Sequence, residues 1–180
     1  MQAQDILHFW FTELTDKQRF AKDEALDATL RERFGATLQA AARGELFGWR
    51  ATPQGRLAEI VVLDQLPRNL YRDTPGAFAQ DPQALTLAQE LVASGQDQAL
   101  DLVQRTFCLH ALHAQRVAVD PRAGAGLVRA AGHGENTLDF AQRHQAIIAH
   151  FGRYPYRNAI LGRVSTPEEL AFLALPGSSS

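Results

Sequence analysis

The chain has 180 residues, 46% of them hydrophobic and 21% charged, a composition typical of a soluble globular protein with one core. Its net charge of −2 provides no overall field toward nucleic acid or an anionic membrane, so neither is expected as a partner. The single cysteine, Cys108, excludes an internal disulfide, and the N-terminal stretch lacks a basic leader, so we expect a cytoplasmic protein.

Helical periodicity extends along the chain, whereas strand-like alternation of apolar and polar residues is nearly absent. Local signals give the ends of several helices: Gly44 follows one, Pro53 opens another that Pro67 is expected to stop, and Asp81 is expected to cap a fourth. In chain order, the predicted helices cover about 4–13, 22–43, 52–66, 82–94, 97–118 and 134–151. A short turn of helix is predicted to begin at 74–75, and a last helix to start within 165–169.

These roughly seven or eight helices with short connections predict an all-α fold, a bundle of antiparallel helices. The bundle is expected to be a single domain over residues 1–175, followed by a disordered tail at 176–180. No phosphate-loop or dinucleotide fingerprint is present, since the GAG at 124–126 follows no strand, so no cofactor is expected.

The third predicted helix carries a carboxylate on its apolar face. Leu57, Ile60, Val61 and Asp64 share one stripe at 100° per residue, with Glu59 opposite. The helix is apolar on nearly every side, so we expect it at the centre of the core. Burying an unpaired carboxylate costs several kcal/mol, so Asp64 must be neutral or paired with a cation.

Two other helices each direct a histidine inward. His144 lies in the apolar stripe of the helix at 134–151, and His113 lies in the stripe of the helix at 97–118. A lone inward histidine is more often a satisfied core residue than a ligand or a base. Together with Asp64, however, the two histidines indicate a shared polar centre inside the bundle, where binding sites in such folds often lie.

A stretch rich in arginine follows His144. No aspartate or glutamate occurs between Phe140 and Pro167, and FGRYPYRN at 151–158 combines arginines with tyrosines. Guanidinium groups form planar forks that suit carboxylate or phosphate. LDQLPRN at 63–69 repeats the combination of proline, arginine and asparagine. These arginines either tie loops to helix ends and inward carboxylates or gather around an anionic ligand, and an Asp64–arginine pair is compatible with both.

Long stretches of the chain resemble a known family. LAEIVVLDQLPRNLYRDTPGAFAQDPQAL at 57–85 and RHQAIIAHFGRYPYRNAILGRVSTPEELAFL at 143–173 are similar to the bacterial domain-of-unknown-function family 924. ILHFWF and RERFGATLQAAARGELFGW also fit, so the resemblance covers nearly the whole chain. It implies an all-helical fold similar to that of tetratricopeptide-repeat proteins. It implies no activity and therefore no catalytic residue.

The chain departs from the family pattern at two places. The family usually has Pro-x-x-His-Ser-Glu on the long helix, where this chain keeps His113 but has His110, Ala114 and Gln115 at the other positions. The family's second motif usually has a histidine where this chain has Tyr156. These differences imply that any acid–base chemistry of the family is lost or altered here.

We expect the chain to bind an anionic small molecule or acidic peptide through this arginine-rich region. The alternative is an enzyme in which His144 or His113 acts as a general base oriented by Asp64. A metal site at His110 and His113 is disfavoured, since a second carboxylate is missing. A homodimer that buries an exposed FWF segment is a further expectation. The candidate binding residues are Asp64, Arg68, Asn69, Arg72, His113, His144, Arg153, Tyr156, Arg157, Asn158 and Arg163.

Overall fold

The computed structural model describes residues 1–113, 143–144 and 146–178, with side chains described through Cys108 in the first stretch. All regular structure in these ranges is helical, which confirms the predicted all-α fold. The α-helices are α1 (Ala3–His8), α2 (Asp16–Phe20), α3 (Glu24–Ala42), α4 (Pro53–Leu70), α5 (Asp81–Ala93), α6 (Leu102–His113) and a C-terminal helix (Pro167–Leu173). Residues 143–144 and 146–151 are also helical.

Short π- and 3₁₀-helical turns connect these elements. A π-helical turn, Phe9–Glu13, continues α1 directly. The remaining turns are 3₁₀-helices at Phe47–Ala51, Pro75–Phe78, Gln96–Ala99 and Pro155–Arg157. Such connections keep consecutive helices close in space, and α3, α4, α5 and α6 each pack against the next along the chain.

Helix α4 lies at the centre of the core, as its sequence predicts. Every residue from Leu57 to Asp64 is buried, so the helix is enclosed on all sides. Helices α1, α3 and α5 pack around it. Glu59, placed opposite the apolar stripe, is 0% exposed, so the opposite face of α4 is covered as well. The Arg50 guanidinium meets this carboxylate with two hydrogen bonds of 2.7 Å each, which compensates its buried charge.

Two predicted helix ends differ from the structure. Helix α4 continues through Pro67 to Leu70, because the missing Pro67 amide removes a single ladder bond that the buried surroundings compensate. Residues 96–99 form a 3₁₀ turn, and the α-helix that was expected from residue 97 begins at Leu102. There the Asp101 carboxylate accepts a hydrogen bond from the Gln104 amide at 2.9 Å, which is N-cap geometry.

The N-terminal FWF segment is largely inside the protein. Phe9 and Trp10 are 4% and 1% exposed, so the exposure on which the expected homodimer depended is wrong for these two residues. Arg19, on α2, binds backbone carbonyl groups in and just after the π-helical turn. Its guanidinium donates hydrogen bonds to the carbonyls of Trp10 at 2.7 Å and Leu14 at 3.0 Å. These carbonyls lie where a helix ends and would otherwise lack donors.

The structure describes part of the C-terminal tail, up to residue 178. The Ser178 hydroxyl donates a hydrogen bond of 3.0 Å to the Leu173 carbonyl, and Ser178 is buried. Among the described helices, none has both the length and the apolar character required to cross a bilayer.

Candidate functional site

Two of the predicted site residues, Arg68 and Arg157, meet at one carboxylate. Arg68 Nη2 lies 3.1 Å from Asp81 Oδ1, and Arg157 Nη1 donates a hydrogen bond of 3.2 Å to Asp81 Oδ2. Arg68 comes from the last turn of α4 and Arg157 from the turn Pro155–Arg157, so Asp81 joins the two proline-flanked segments. We call Asp64, Arg68, Asp81 and Arg157 the Asp81 cluster.

Asp64 binds the same guanidinium from the opposite direction. Its Oδ1 lies 3.0 Å from Arg68 Nη2, and the Arg68 Nη1 group contacts the Asp64 carbonyl one turn earlier on the helix. The Gln65 amide donates to Asp64 Oδ2. The Asp64 and Asp81 side chains are 4% and 5% exposed, so both carboxylates require the cation between them.

Aromatic rings surround the guanidinium of Arg157. Its Cζ lies 4.5 Å from the ring centroid of Phe78, 4.6 Å from that of Tyr154 and 5.9 Å from that of Tyr156. Arg68 Cζ lies 5.8 Å from the Phe78 centroid. A guanidinium at these distances is attracted by the negative ring faces, which holds it in one orientation.

His144 lies beside the tyrosines of this site. Its ring centroid is 5.3 Å from that of Tyr154 and 6.3 Å from that of Tyr156. Tyr154 is buried, whereas Tyr156 and His144 are half-buried. The phenol ring of Tyr156 and the imidazole ring of His144 therefore form part of the accessible edge of the site.

The charges and the burial of the site shift several pKa values. Burial acts to lower the pKa of Arg68, but the charges of Asp64 and Asp81 outweigh it, and the pKa is raised. Burial also raises the pKa of the Tyr156 hydroxyl, with the charge of Arg157 in partial opposition. Tyr154 shows the same direction, mainly from burial. At neutral pH the Arg68 guanidinium is therefore charged and both phenols are neutral.

Helix ends explain why these charges occur where they do. Arg68 lies in the last turn of α4, where the helix dipole favours a cation, and Asp81 lies in the first turn of α5, where it favours an anion. Asp81 is the first residue of α5 rather than its N-cap, because Gln80 occupies the cap. The expected capping role of Asp81 is therefore wrong, and its carboxylate binds the two arginines instead.

Two other predicted site residues belong to a separate cluster between α3 and α4. The Asn69 amide donates to Asp27 Oδ1 at 2.9 Å, and the Arg72 guanidinium donates to both carboxylate oxygens at 2.7 and 3.0 Å. Burial acts to raise the pKa of Asp27, but the hydrogen bonds from Arg72 and Asn69 outweigh it and the pKa is lowered. These contacts therefore support a structural role for Arg72.

Arg153 and Asn158 bind the start of the C-terminal helix. Arg153 donates two hydrogen bonds to the Glu169 carboxylate, at 2.6 and 2.8 Å, and the Asn158 amide donates a third at 3.1 Å. Glu169 also accepts from the Thr166 amide at 2.8 Å, while Thr166 Oγ1 accepts from the Glu169 amide. This capping box starts the helix within residues 165–169, where the sequence predicts its beginning.

We expect the Glu169 network to make stability depend on pH. The hydrogen bond from Arg153 is the largest cause that lowers the pKa of Glu169, from 4.5 to about 2. Since the folded-state pKa is depressed, the stabilisation is fully present above about pH 4.5 and is lost as the pH falls toward 2. Urea unfolding between pH 6 and pH 3 should therefore show a smaller loss of stability for Glu169→Gln than for the unchanged chain. Equal slopes for the two proteins would contradict the assignment.

The remaining candidates lie apart from these contacts. Arg163 is exposed. The side chains of His110 and His113, on which the metal hypothesis rests, lie outside the described residues, as do Ala114 and Gln115. Cys108 is 0% exposed, and burial raises the pKa of its thiol to about 12, so this group is a poor nucleophile at neutral pH.

Apart from Asp64, the carboxylates that bind the arginines were not predicted from the sequence. Asp27, Asp81 and Glu169 are all buried, and each accepts from at least one predicted site residue. All three lie in the first turn of a helix, where an acidic residue is common for reasons unrelated to a site. The signal that was available is the excess of arginine around FGRYPYRN, which requires acidic partners elsewhere in the chain.

Known proteins are similar to the chain over nearly its whole length. Residues 6–177 match the model of a family described as bacterial protein of unknown function (DUF924). A solved structure of a protein of unknown function from Agrobacterium tumefaciens is 36% identical, with a TM-score of 0.83 and coverage of 96% of both chains. None of the curated proteins matches the chain.

Proposed function

The chain belongs to the DUF924 family of bacterial proteins of unknown function, and we propose that the Asp81 cluster of this member binds a small molecule or acidic peptide through an anionic group. The observation that carries the proposal is the convergence of Arg68 and Arg157 on Asp81, at 3.1 and 3.2 Å. Fixed guanidinium groups lose little conformational freedom when they bind a carboxylate or phosphate.

Unused hydrogen-bonding capacity supports the same proposal. Within the described part of the chain, the buried Nε of Arg157 has no hydrogen-bond acceptor. Leaving such a donor unsatisfied costs about 1–3 kcal/mol, more when the group is charged. A ligand oxygen that displaced the atoms now covering this nitrogen would recover that free energy.

The proposed site contains fewer arginines than the sequence predicts. Arg72 and Arg153 each donate to both oxygens of one carboxylate, Asp27 and Glu169, so their guanidinium forks are occupied and we assign them to the scaffold. Arg68 and Arg157 are 25% and 13% exposed at the side chain, which leaves part of each guanidinium accessible. Tyr156 and His144 form the neighbouring edge, and Arg163 is the exposed cation farther along the same segment.

The arrangement of the helices is consistent with an acidic peptide as one kind of ligand. Consecutive packing of α3, α4, α5 and α6 is what a tetratricopeptide-repeat-like fold would give, and stacked helix pairs offer concave surfaces to peptides. We therefore also propose that the fold is tetratricopeptide-repeat-like.

Calorimetric titration tests the proposal directly. The probes are inorganic phosphate, adenosine monophosphate and an acetylated tetraglutamate peptide. At least one should give saturable heat with the unchanged chain, and Arg157→Ala should weaken that probe by at least about tenfold, the effect of roughly 1.4 kcal/mol. Arg43→Ala, at an exposed arginine paired with Glu45, should leave binding unchanged.

The same titration can also contradict the proposal. Identical heats for the unchanged chain and for an Arg157→Ala protein that still unfolds cooperatively would exclude a role for the cluster. Binding to the peptide but to neither small molecule would identify a peptide site, and the reverse would identify a small-molecule site.

The acid–base alternative has less support from the described contacts. The partners of Asp64 are Arg68 and Gln65, and neither is a histidine that the carboxylate could orient. The ring of His144 lies beside those of Tyr154 and Tyr156. The anion-binding proposal is therefore the one that the geometry favours.

A further inference from the structure

Helix α3, the end of α4 and the segment 76–80 form a small cavity that opens to solvent. Leu38, Ala42 and Pro67 form the apolar part of its wall. None of the residues that line the cavity is an acid, a lysine, an arginine or a histidine. We infer that the cavity binds a small neutral molecule through a single planar ring. This inference does not rest on the proposed function, because no residue of the Asp81 cluster lines the cavity.

The volume of the cavity determines the size of the ligand. Sites for drug-sized molecules commonly measure about 300–1,000 Å³, whereas an apolar cavity of about 150 Å³ holds one benzene molecule. This cavity measures about 180 Å³, so it accommodates one six-membered ring with a small substituent. Because α4 continues through Pro67, the pyrrolidine ring of that residue is part of the wall and offers an apolar surface to the ligand ring.

Contacts within the protein hold the wall in place before any ligand binds. The Tyr71 hydroxyl accepts a hydrogen bond of 3.1 Å from the Gln39 amide on α3. The Thr74 hydroxyl donates a hydrogen bond of 2.7 Å to the Tyr71 carbonyl. The Gly76 backbone approaches Tyr71 so closely that a Cβ on Gly76 would lie 3.2 Å from Tyr71 Cβ. Binding therefore does not have to order these groups, which lowers its free-energy cost.

Neutral polar groups at the cavity determine the substituent on the ring. The Tyr71 hydroxyl accepts from Gln39 and can still donate its own proton. Gln80 is the N-cap of α5, but its side chain makes no capping hydrogen bond, so its amide can pair with a ligand. An amide or hydroxyl substituent both donates and accepts, which suits these partners. A carboxylate or ammonium group would lose water without an opposite charge at the cavity to compensate it.

Titration of the full chain at pH 7.5, followed by ¹H–¹⁵N NMR, tests the inference with benzamide, benzoate and benzylamine. The three probes share a phenyl ring, and their substituents are neutral, negative and positive at this pH. Benzamide should shift the backbone amides of Gln39, Ala42 and Gly76 saturably, with a dissociation constant of about 1 mM. The two charged probes should bind there at least about tenfold more weakly.

Three outcomes of this titration would contradict the inference. The first is the absence of saturable shifts at these amides with benzamide. The second is equal or tighter binding of either charged probe at the same amides. The third is binding of N-acetylphenylalaninamide at least about tenfold tighter than benzamide, which would identify a peptide side chain as the occupant.

Filling the cavity provides the matched variants. In Ala42→Leu, and in Ala79→Leu on the segment before α5, the added side chain takes the space of the ring, so benzamide should bind at least about tenfold more weakly. Two such variants guard against one of them failing to fold. Ala36→Leu adds the same side chain at an exposed position of α3 that does not line the cavity, so it should leave the dissociation constant unchanged.

The variants also locate the bound ring. Unchanged benzamide binding in a filled variant that still unfolds cooperatively would overturn the inference. Arg157→Ala should leave benzamide binding unchanged, because Arg157 does not line the cavity. Loss of benzamide binding in Arg157→Ala would place the probe at the Asp81 cluster and would also overturn the inference.

Discussion

Replacement of Asp81 by alanine is expected to lower the free energy of unfolding by about 3–5 kcal/mol. The side chain is 5% exposed and is shared by Arg68 and Arg157, so its removal leaves two partly buried guanidinium groups without this partner. It also separates the segment around Arg157 from the start of α5. Urea unfolding followed by circular dichroism measures the change. A domain of this size is commonly stable by only 5–15 kcal/mol, so the loss would be easily detected.

An exposed ion pair serves as the control for Asp81. Glu45 is paired with Arg43 at 2.6 Å, but both side chains are more than half exposed. Glu45→Ala should cost less than about 1 kcal/mol, because solvent screens the pair. Comparable losses for Asp81→Ala and Glu45→Ala would show that the Asp81 cluster contributes no more than a surface pair.

Replacement of Arg50 by alanine is expected to lower the free energy of unfolding by about 3 kcal/mol, the lower end of the range for breaking a buried pair. Glu59 is 0% exposed and depends on the two hydrogen bonds that Arg50 donates. The estimate is at the lower end because the Arg50 side chain is 31% exposed, so water can reach part of the vacated space. Thermal and urea unfolding of the same variant provide the measurement.

A double substitution separates the buried charge from lost packing. Arg50→Ala combined with Glu59→Gln removes the charge that the single variant leaves behind, so the double variant should be more stable than Arg50→Ala alone. Arg43→Ala, which removes an exposed arginine from the pair with Glu45, should cost less than about 1 kcal/mol. A double variant no more stable than the single one would show that charge is not the cause.

Much of the fold could be predicted because helix signals are local. Thr52-Pro53 begins α4, and the C-terminal helix, capped by Thr166, starts within the predicted 165–169 stretch. The apolar character around α4 also predicted its central position correctly. Pro67 misled the prediction, because tertiary packing carries α4 one turn farther than the local rule allows.

The site was harder to predict because ion pairs join residues far apart in the chain. Arg68, Arg72, Arg153 and Arg157 are alike in sequence context, yet between them they bind four different carboxylates. Only the packing of the helices and of the turn at Pro155–Arg157 determines which acid lies within reach of which guanidinium. Asp64 alone could be predicted to need a cation, because its position on a helical stripe is a local property.

The distance along the chain between Asp81 and Arg157, 76 residues, has a consequence for synthesis on the ribosome. At about 5–20 residues per second, Arg157 is added roughly 4–15 seconds after Asp81. During that interval the nascent chain already contains every residue of α3 and α4, together with Arg68. Arg68 is therefore available to Asp81 before Arg157 has been added, so the packing of α4 against α5 does not have to wait for the later arginine.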